Sequence, residues 1–261
     1  MPESLRWFFL RYDTLAYKAF FAAACAAIRE LFADPKHFGG QPGFTAVLHT
    51  WTRRMEFHPH LHVLVPAVAL AAQGCQAIRA KDPEFLLPHA PLAKSYRDHF
   101  LAVLRSKHPG LYAQIDPSVG LIHWNVNVKS VGRGKRALRY LASYVNKSAF
   151  SESRLASYDE KGRIGLWWRD SSDGKRKLMR LEAIEFIRRW LLHVLPKGLI
   201  RVRHYGFLSA AAVKSYRRLR FLPGGKHFAL EVPVDEPPTC PPAVVVNSSG
   251  CVNSFRCAAR R

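Results

Sequence analysis

Two apolar runs meet at a basic turn, Arg53-Arg54, and their periodicity constrains the fold more than any other feature of this 261-residue chain. The first run, Gly43 to Trp51 (GFTAVLHTW), is β-branched and aromatic, the composition of a strand. In the second, Met55 to Leu70, His58, His60, His62 and Leu64 alternate with Leu61, Val63 and Val65. That period of two puts the histidines on one face of a strand and the aliphatic residues on the other. Two strands joined by so short a turn predict an antiparallel hairpin with one histidine-rich face.

Imidazole is the commonest metal-binding side chain near neutral pH. On a strand, residues i and i+2 lie about 6.6 Å apart on one face, so two such rings can tilt onto one ion at about 2.1 Å per bond. His58 to His62 spans about 13 Å by the same geometry, too far for all three to share it easily. His60 and His62 are therefore the predicted pair. In a paired hairpin His49 falls opposite His60 or His62 and supplies the third ligand, with Glu56 and His58 as substitutes. Three ligands with open positions suit a catalytic ion, whereas a structural zinc site prefers cysteines and four ligands.

The rest of the chain mixes helices and strands without regular βαβ alternation, which predicts an α+β fold with an antiparallel sheet. Residues 5–33 read as helical, and 83–118 as loop and helix. Leu121–Val128, Ile164–Trp168 and Arg201–Leu208 read as strands. Lys135–Lys147 reads as an amphipathic helix, and Leu181–Val194 as a helix whose Ile184, Ile187, Leu191 and Val194 share one side. The expected organisation is an N-terminal helical segment (1–40), a core (41–222) and a Pro/Ser-rich, poorly ordered tail (223–261). No apolar run of the N-terminal third approaches the about 20 residues of a membrane span, and Met1-Pro2-Glu3-Ser4 does not open a secretory signal. Five cysteines without a CxxC pair argue against a disulfide framework or a zinc ribbon and for a reducing cytoplasm.

Charge narrows the partner. Forty Lys and Arg against nineteen Asp and Glu give a net charge of +21, which predicts a polyanion, nucleic acid before an anionic membrane surface. Six of those cations, Lys129, Arg133, Lys135, Arg136, Arg139 and Lys147, surround Tyr140 and Tyr144 with no acid between 129 and 147. The two tyrosines are i and i+4, neighbours on one helix face. A phenol near cations is favoured as phenolate, hence a candidate covalent nucleophile, and Lys147 is placed to stabilise charge on a phosphate or leaving oxygen. A second basic stretch carries Arg188, Arg189, Lys197, Arg201 and Arg203, expected on phosphates. His193 is expected to pack or support rather than ligate, and Tyr205 to be structural. Trp51, Trp124, Trp167 and Trp168 are candidates for base stacking.

In this order, GFTAVLHTW, HPHLHVLV (58–65), YLASYVN (140–146), EFIRRWLLHVLPKG (185–198) and RVRHYGF (201–207) resemble the two-tyrosine HUH transposases of rolling-circle insertion sequences, the insertion sequence 91 type, over about residues 10–220. The resemblance implies an HUH endonuclease-like core with a central antiparallel sheet carrying the histidine pair and a neighbouring helix carrying the tyrosines. It implies Mg²⁺ or Mn²⁺ on His60 and His62, with His49 as third ligand. It further implies that a tyrosine attacks single-stranded DNA at an element's end, forming a 5′-phosphotyrosine and freeing a 3′-OH, while the second tyrosine permits exchange with a target strand. Family members usually begin with a cysteine-rich zinc-binding module that this chain does not show. A truncated, inactive DNA-binding remnant is therefore one alternative, and a plasmid-type replication initiator or relaxase with the same chemistry another. A zinc hydrolase built on HPHLH explains neither the tyrosines nor the charge.

Overall fold

The structure, a computed structural model, describes residues 1–71, 77–82, 85–132, 134–212, 244–246 and 252–254. The N-terminal apolar stretch forms α1 (Arg6–Arg11) and α2 (Asp13–Ala33). Next come the hairpin strands β1 (Gln41–Trp51) and β2 (Phe57–Leu64), then β3 (Val68–Leu70) and β4 (Ala77–Arg79). Two helices follow, α3 (His89–Lys107) and the one-turn α4 (Pro109–Tyr112), and later α5 (Lys135–Val145). The chain continues through β5 (Leu155–Tyr158), β6 (Arg163–Arg169), β7 (Arg176–Glu182), α6 (Ala183–Leu191) and β8 (Val202–Gly206). All of this lies in one unit, Met1–Gly225; in the second, Lys226–Arg261, β9 (Val244–Val246) pairs antiparallel with β10 (Val252–Ser254). The rest of the expected tail lies outside the described residues, as do Arg133 and every cysteine except Cys25.

The fold is α+β, as expected. β1 is the centre of its five-stranded sheet, with antiparallel β2 on one edge and antiparallel β8 on the other; β3 takes the start of β1 and carries β4. Alternation gives β1 two faces. Phe44, Ala46 and Leu48 face the helices and are fully buried. Ala46 and Leu48 join Phe8, Phe9, Tyr17, Phe20 and Phe21 of α1 and α2, with Phe100 and Leu104 of α3, in the largest core cluster. Val47 and His49 point to the opposite face.

The expected single strand 55–70 splits because Pro66 has no N–H for the ladder. Within β2 the pairing shifts between His49↔His60 and Trp51↔Phe57, a bulge at His58-Pro59. An edge strand is where a proline and a bulge are tolerated.

Leu121–Val128 is not a strand. Trp124 dives into the helical core, packing on Phe100 and Tyr96 with ring centroids 5.4 Å away in each case, while the Val128 backbone bonds the His89 ring. That removes Trp124 from the stacking candidates. Residues 176–180, for which the sequence predicts no element, and the first two residues of the helix expected over 181–194 instead form β7, which with β5 and β6 makes a separate three-stranded sheet. The helix expected over 181–194 is accordingly shorter. Its stripe of Ile184, Ile187, Leu191 and Val194 faces outward, and Phe186 supplies the inward contact. The small sheet is pinned to the hairpin turn by Met55, fully buried at φ +59 against Leu166 and Leu181.

Candidate active site

Cross-strand register places His49 opposite His60 and Val47 opposite His62, so the three imidazoles share the face away from the helices. One ring nitrogen from each of His49, His60 and His62 lies within 4.8 Å of the others. The bulge explains why His58 is not with them: it breaks the i, i+2 series and leaves His58 beside the N-terminal amino group and Arg6. Glu56, the other substitute, accepts from Thr52 Oγ1 (3.5 Å) and pairs with Arg54 (3.6 Å). Among the described residues neither joins the cluster.

Hydrogen bonds orient the rings. His60 Nδ1 lies 2.7 Å from the His58 carbonyl, to which it donates, leaving Nε2 with its lone pair. His49 Nε2 lies 2.8 Å from the Tyr144 carbonyl, so the neutral ring donates there and keeps Nδ1 free. Burial lowers all three pKa values, His49 to about 4 and His62 to about 3. At neutral pH all three rings are therefore uncharged, the form that ligates a metal. A neutral histidine triad, His49 buried and His60 and His62 half-buried, with open lone pairs fits a divalent cation.

The tyrosine helix lies over this face. Gly134, at φ +54, turns the chain into α5, which buries no residue completely. Its C-terminal end is held by polar bonds instead. The Arg201 guanidinium donates to the carbonyls of Tyr144 (2.9 Å) and Lys147 (2.7 Å), and its Nε to Leu48 of β1 (3.1 Å). Arg201 also stacks over Trp51, whose indole lies 4.4 Å from the His49 ring. Tyr144 thereby rests against the triad, with its ring 3.7 Å from His62 and 5.5 Å from His49. Tyr140 is one ring further out, 4.8 Å from Tyr144, and the Lys147 ammonium lies 5.7 Å from the Tyr144 ring.

One expectation fails here. Desolvation, and then the hydrogen bond and charge of Tyr144, push Tyr140 up to about 12 rather than toward phenolate. The helix cations do not counter this because Lys135, Arg136 and Arg139 are exposed, their fields weakened by water.

These elements are the ones that comparison with known proteins aligns. Residues 43–216 match the model of a two-tyrosine family described as "Putative transposase". The chain belongs to that transposase family. It is 34% identical over 227 residues to "Putative transposase y4qJ" of Sinorhizobium fredii (strain NBRC 101917 / NGR234), covering 80% of this chain and 56% of that protein. It is 25% identical over 229 residues to the "Transposase for insertion sequence element IS801" of Pseudomonas savastanoi pv. phaseolicola, covering 83% of this chain and 54% of that protein. The chain thus spans about half the length of the curated relatives it matches. No solved structure matches it.

Of the remaining expected transposase contacts, Lys129, Lys135, Arg136, Arg139, Lys147 and Lys197 are exposed. Arg201 is turned inward, as described, rather than toward a phosphate. Arg203 pairs with Ala46 on the helix-facing side of the sheet and lies 4.0 Å above Phe21, away from the triad. Arg188 and Arg189 both bond Glu185, and Arg189 also donates to the Arg54 carbonyl at 3.1 Å. His193 bridges Thr50 (3.2 Å) and the Met55 carbonyl (3.1 Å), and Tyr205 stacks on Phe44. Sequence gave no role to Thr45, whose hydroxyl lies 2.9 Å from His204 Nδ1 on the triad's face. Its alternation with Val47 and His49 was the available signal.

Proposed function

We propose that this chain cleaves and rejoins single-stranded DNA through Tyr144 and Tyr140, with a divalent cation on His49, His60 and His62. The supporting observation is the seat of Tyr144 against the triad, its ring 3.7 Å from His62. A cation there would polarise the scissile phosphate. Mg²⁺ and Mn²⁺ remain the candidates; three imidazoles without a carboxylate favour Mn²⁺, since Mg²⁺ prefers oxygen ligands.

The chemistry balances without water. The Tyr144 oxygen forms a bond to phosphorus as the P–O3′ bond breaks, and the phenolic proton ends on the released 3′-hydroxyl. The 5′ end stays on the enzyme as a phosphotyrosine. Tyr140, still free, cleaves a second strand, and a 3′-hydroxyl then attacks a phosphotyrosine, returning the proton to its tyrosine. Lys147 lies beside the Tyr144 ring and stabilises the phosphate's charge. Such transfer between an element's ends and a target is rolling-circle transposition.

The test is a denaturation-resistant protein–DNA adduct on a labelled single-stranded element end. It forms with Mn²⁺ or Mg²⁺ and not with EDTA, and is lost in the Tyr140→Phe/Tyr144→Phe variant. Tyr144→Phe alone removes the first adduct, whereas Tyr140→Phe retains it. DNA binding without any adduct would mark a binding remnant instead.

A further inference from the structure

The strands β6 and β7 present a second surface, distinct from the histidine face. Their inward residues, Ile164, Leu166, Met179 and Leu181, close over Met55. Alternation sends Arg163, Gly165, Trp167 and Arg169 of β6 to the other face, opposite Glu182, Arg180, Leu178 and Arg176 of β7 respectively. That face carries four arginines, with Glu182 and the Arg163-bound Asp159 as the acids beside it. Its centre is a stack: the Arg176 guanidinium lies 4.6 Å above the Trp167 ring, a diagonal cross-strand contact. Arg180, one pair further along, is exposed. Gly165 keeps the floor low beside them, because Ser157 Oγ lies where a Cβ would stand.

We propose that this face is a single-strand nucleic-acid platform that holds DNA away from the cleavage site. Guanidinium planes stacked on indole offer a flat cationic surface for an unpaired base. The flanking arginines, spaced along two strands, meet the phosphates on either side. A flat three-stranded face with a stacked aromatic suits unpaired bases, whereas a duplex hides its base faces. The proposal rests on the DNA partner of the proposed function but not on its tyrosine chemistry.

The test uses the full chain and a 30-nucleotide oligothymidylate, with affinity measured across a salt series. Replacing Arg176 and Arg180 with Gln lowers affinity about tenfold or more, through the lost stacking plane and the lost phosphate contact, and flattens the log–log salt slope by about 0.7, the value for the one phosphate contact of Arg180. The thermal midpoint is unchanged, since both side chains are exposed. A control pair on α3, Lys94→Gln/Lys107→Gln, leaves affinity and slope near wild type. If the wild type forms no adduct while the arginine pair still weakens binding, the tyrosine chemistry fails and the platform stands. If the adduct forms but the arginine pair binds with wild-type affinity and slope, the platform is refuted. Tighter binding of a 30-base-pair duplex through the same two arginines would refute the single strand as its occupant.

Discussion

Arg201 ties the tyrosine helix to the histidine sheet, and its removal has a calculable effect. Since α5 buries no residue completely, its position over the triad depends on the bonds at its C-terminal end. Arg201 supplies two of these, to the Tyr144 and Lys147 carbonyls, and anchors them through Nε to Leu48 of β1. A hydrogen bond from a charged donor contributes about 1.5–3 kcal/mol net. Arg201→Ala removes both helix bonds while His49 still holds the Tyr144 carbonyl. Water replaces part of the loss, so docking weakens by about 2–4 kcal/mol. At about 1.4 kcal/mol per tenfold, amide exchange in the last turn of α5 speeds up roughly 30- to 1000-fold. Arg201→Lys gives an intermediate effect, because one ammonium cannot reproduce the fork across three carbonyls. Hydrogen exchange followed by mass spectrometry reads this directly, and adduct formation falls in the same order. Unaltered α5 exchange and an unaltered adduct rate in Arg201→Ala would refute this account of how the tyrosines are positioned.

Three other outcomes follow from the same geometry. Saturating Mn²⁺ raises the thermal midpoint of the wild type, by the equivalent of about 2.7 kcal/mol at a hundredfold excess over Kd; His60→Ala/His62→Ala shows no such shift, and a retained shift would place the ion elsewhere. In the metal-free protein, the lowered values of His49 (about 4) and His62 (about 3) mean that the unfolded chain takes up these protons first. Their contribution to stability is full above the unfolded value near 6.5 and declines as pH falls toward 4, so urea midpoints drop over that window, less steeply in His62→Gln. Gly206 adopts φ +57 with its α-carbon facing the Pro42 carbonyl across the β1–β8 ladder. Gly206→Ala therefore pushes β8 from β1 and costs about 2 kcal/mol or more, combining backbone strain with overpacking; a thermal midpoint equal to wild type would contradict that.

Most of the candidate site was legible in the sequence because it rests on two local periodicities. Period two on HPHLH, with a turn at Arg53-Arg54, placed His49 in register with the pair, and the i, i+4 spacing put Tyr140 and Tyr144 on one helix face. What was not legible depends on tertiary packing. Leu121–Val128 alternates like a strand, but burying one tryptophan among Phe100 and Tyr96 outweighs the pairing of an isolated segment. β7 was hidden because Arg176, Lys177 and Arg180 are spread over both of its faces, with Leu178 and Met179 adjacent, so residues 176–182 carry little apolar alternation. The stripe on α6 predicted a buried side, yet that helix docks through Phe186 and Arg189 and leaves Ile184 83% exposed. The basic residues were visible as charge but not as partners: Arg201 and Arg203 look like phosphate contacts until their distances to Tyr144 and Phe21 are known.

In the proposed mechanism the tyrosines of α5 and the histidines of β1 and β2 form one reaction centre. Its most direct test is denaturing electrophoresis of the chain after incubation with a labelled single-stranded element end. A metal-dependent labelled band at the protein's mass plus the bound strand, present in the wild type and absent from both Tyr140→Phe/Tyr144→Phe and His60→Ala/His62→Ala, is the predicted result. An adduct that survives the loss of both tyrosines, or that forms equally well without the histidine pair, would contradict it.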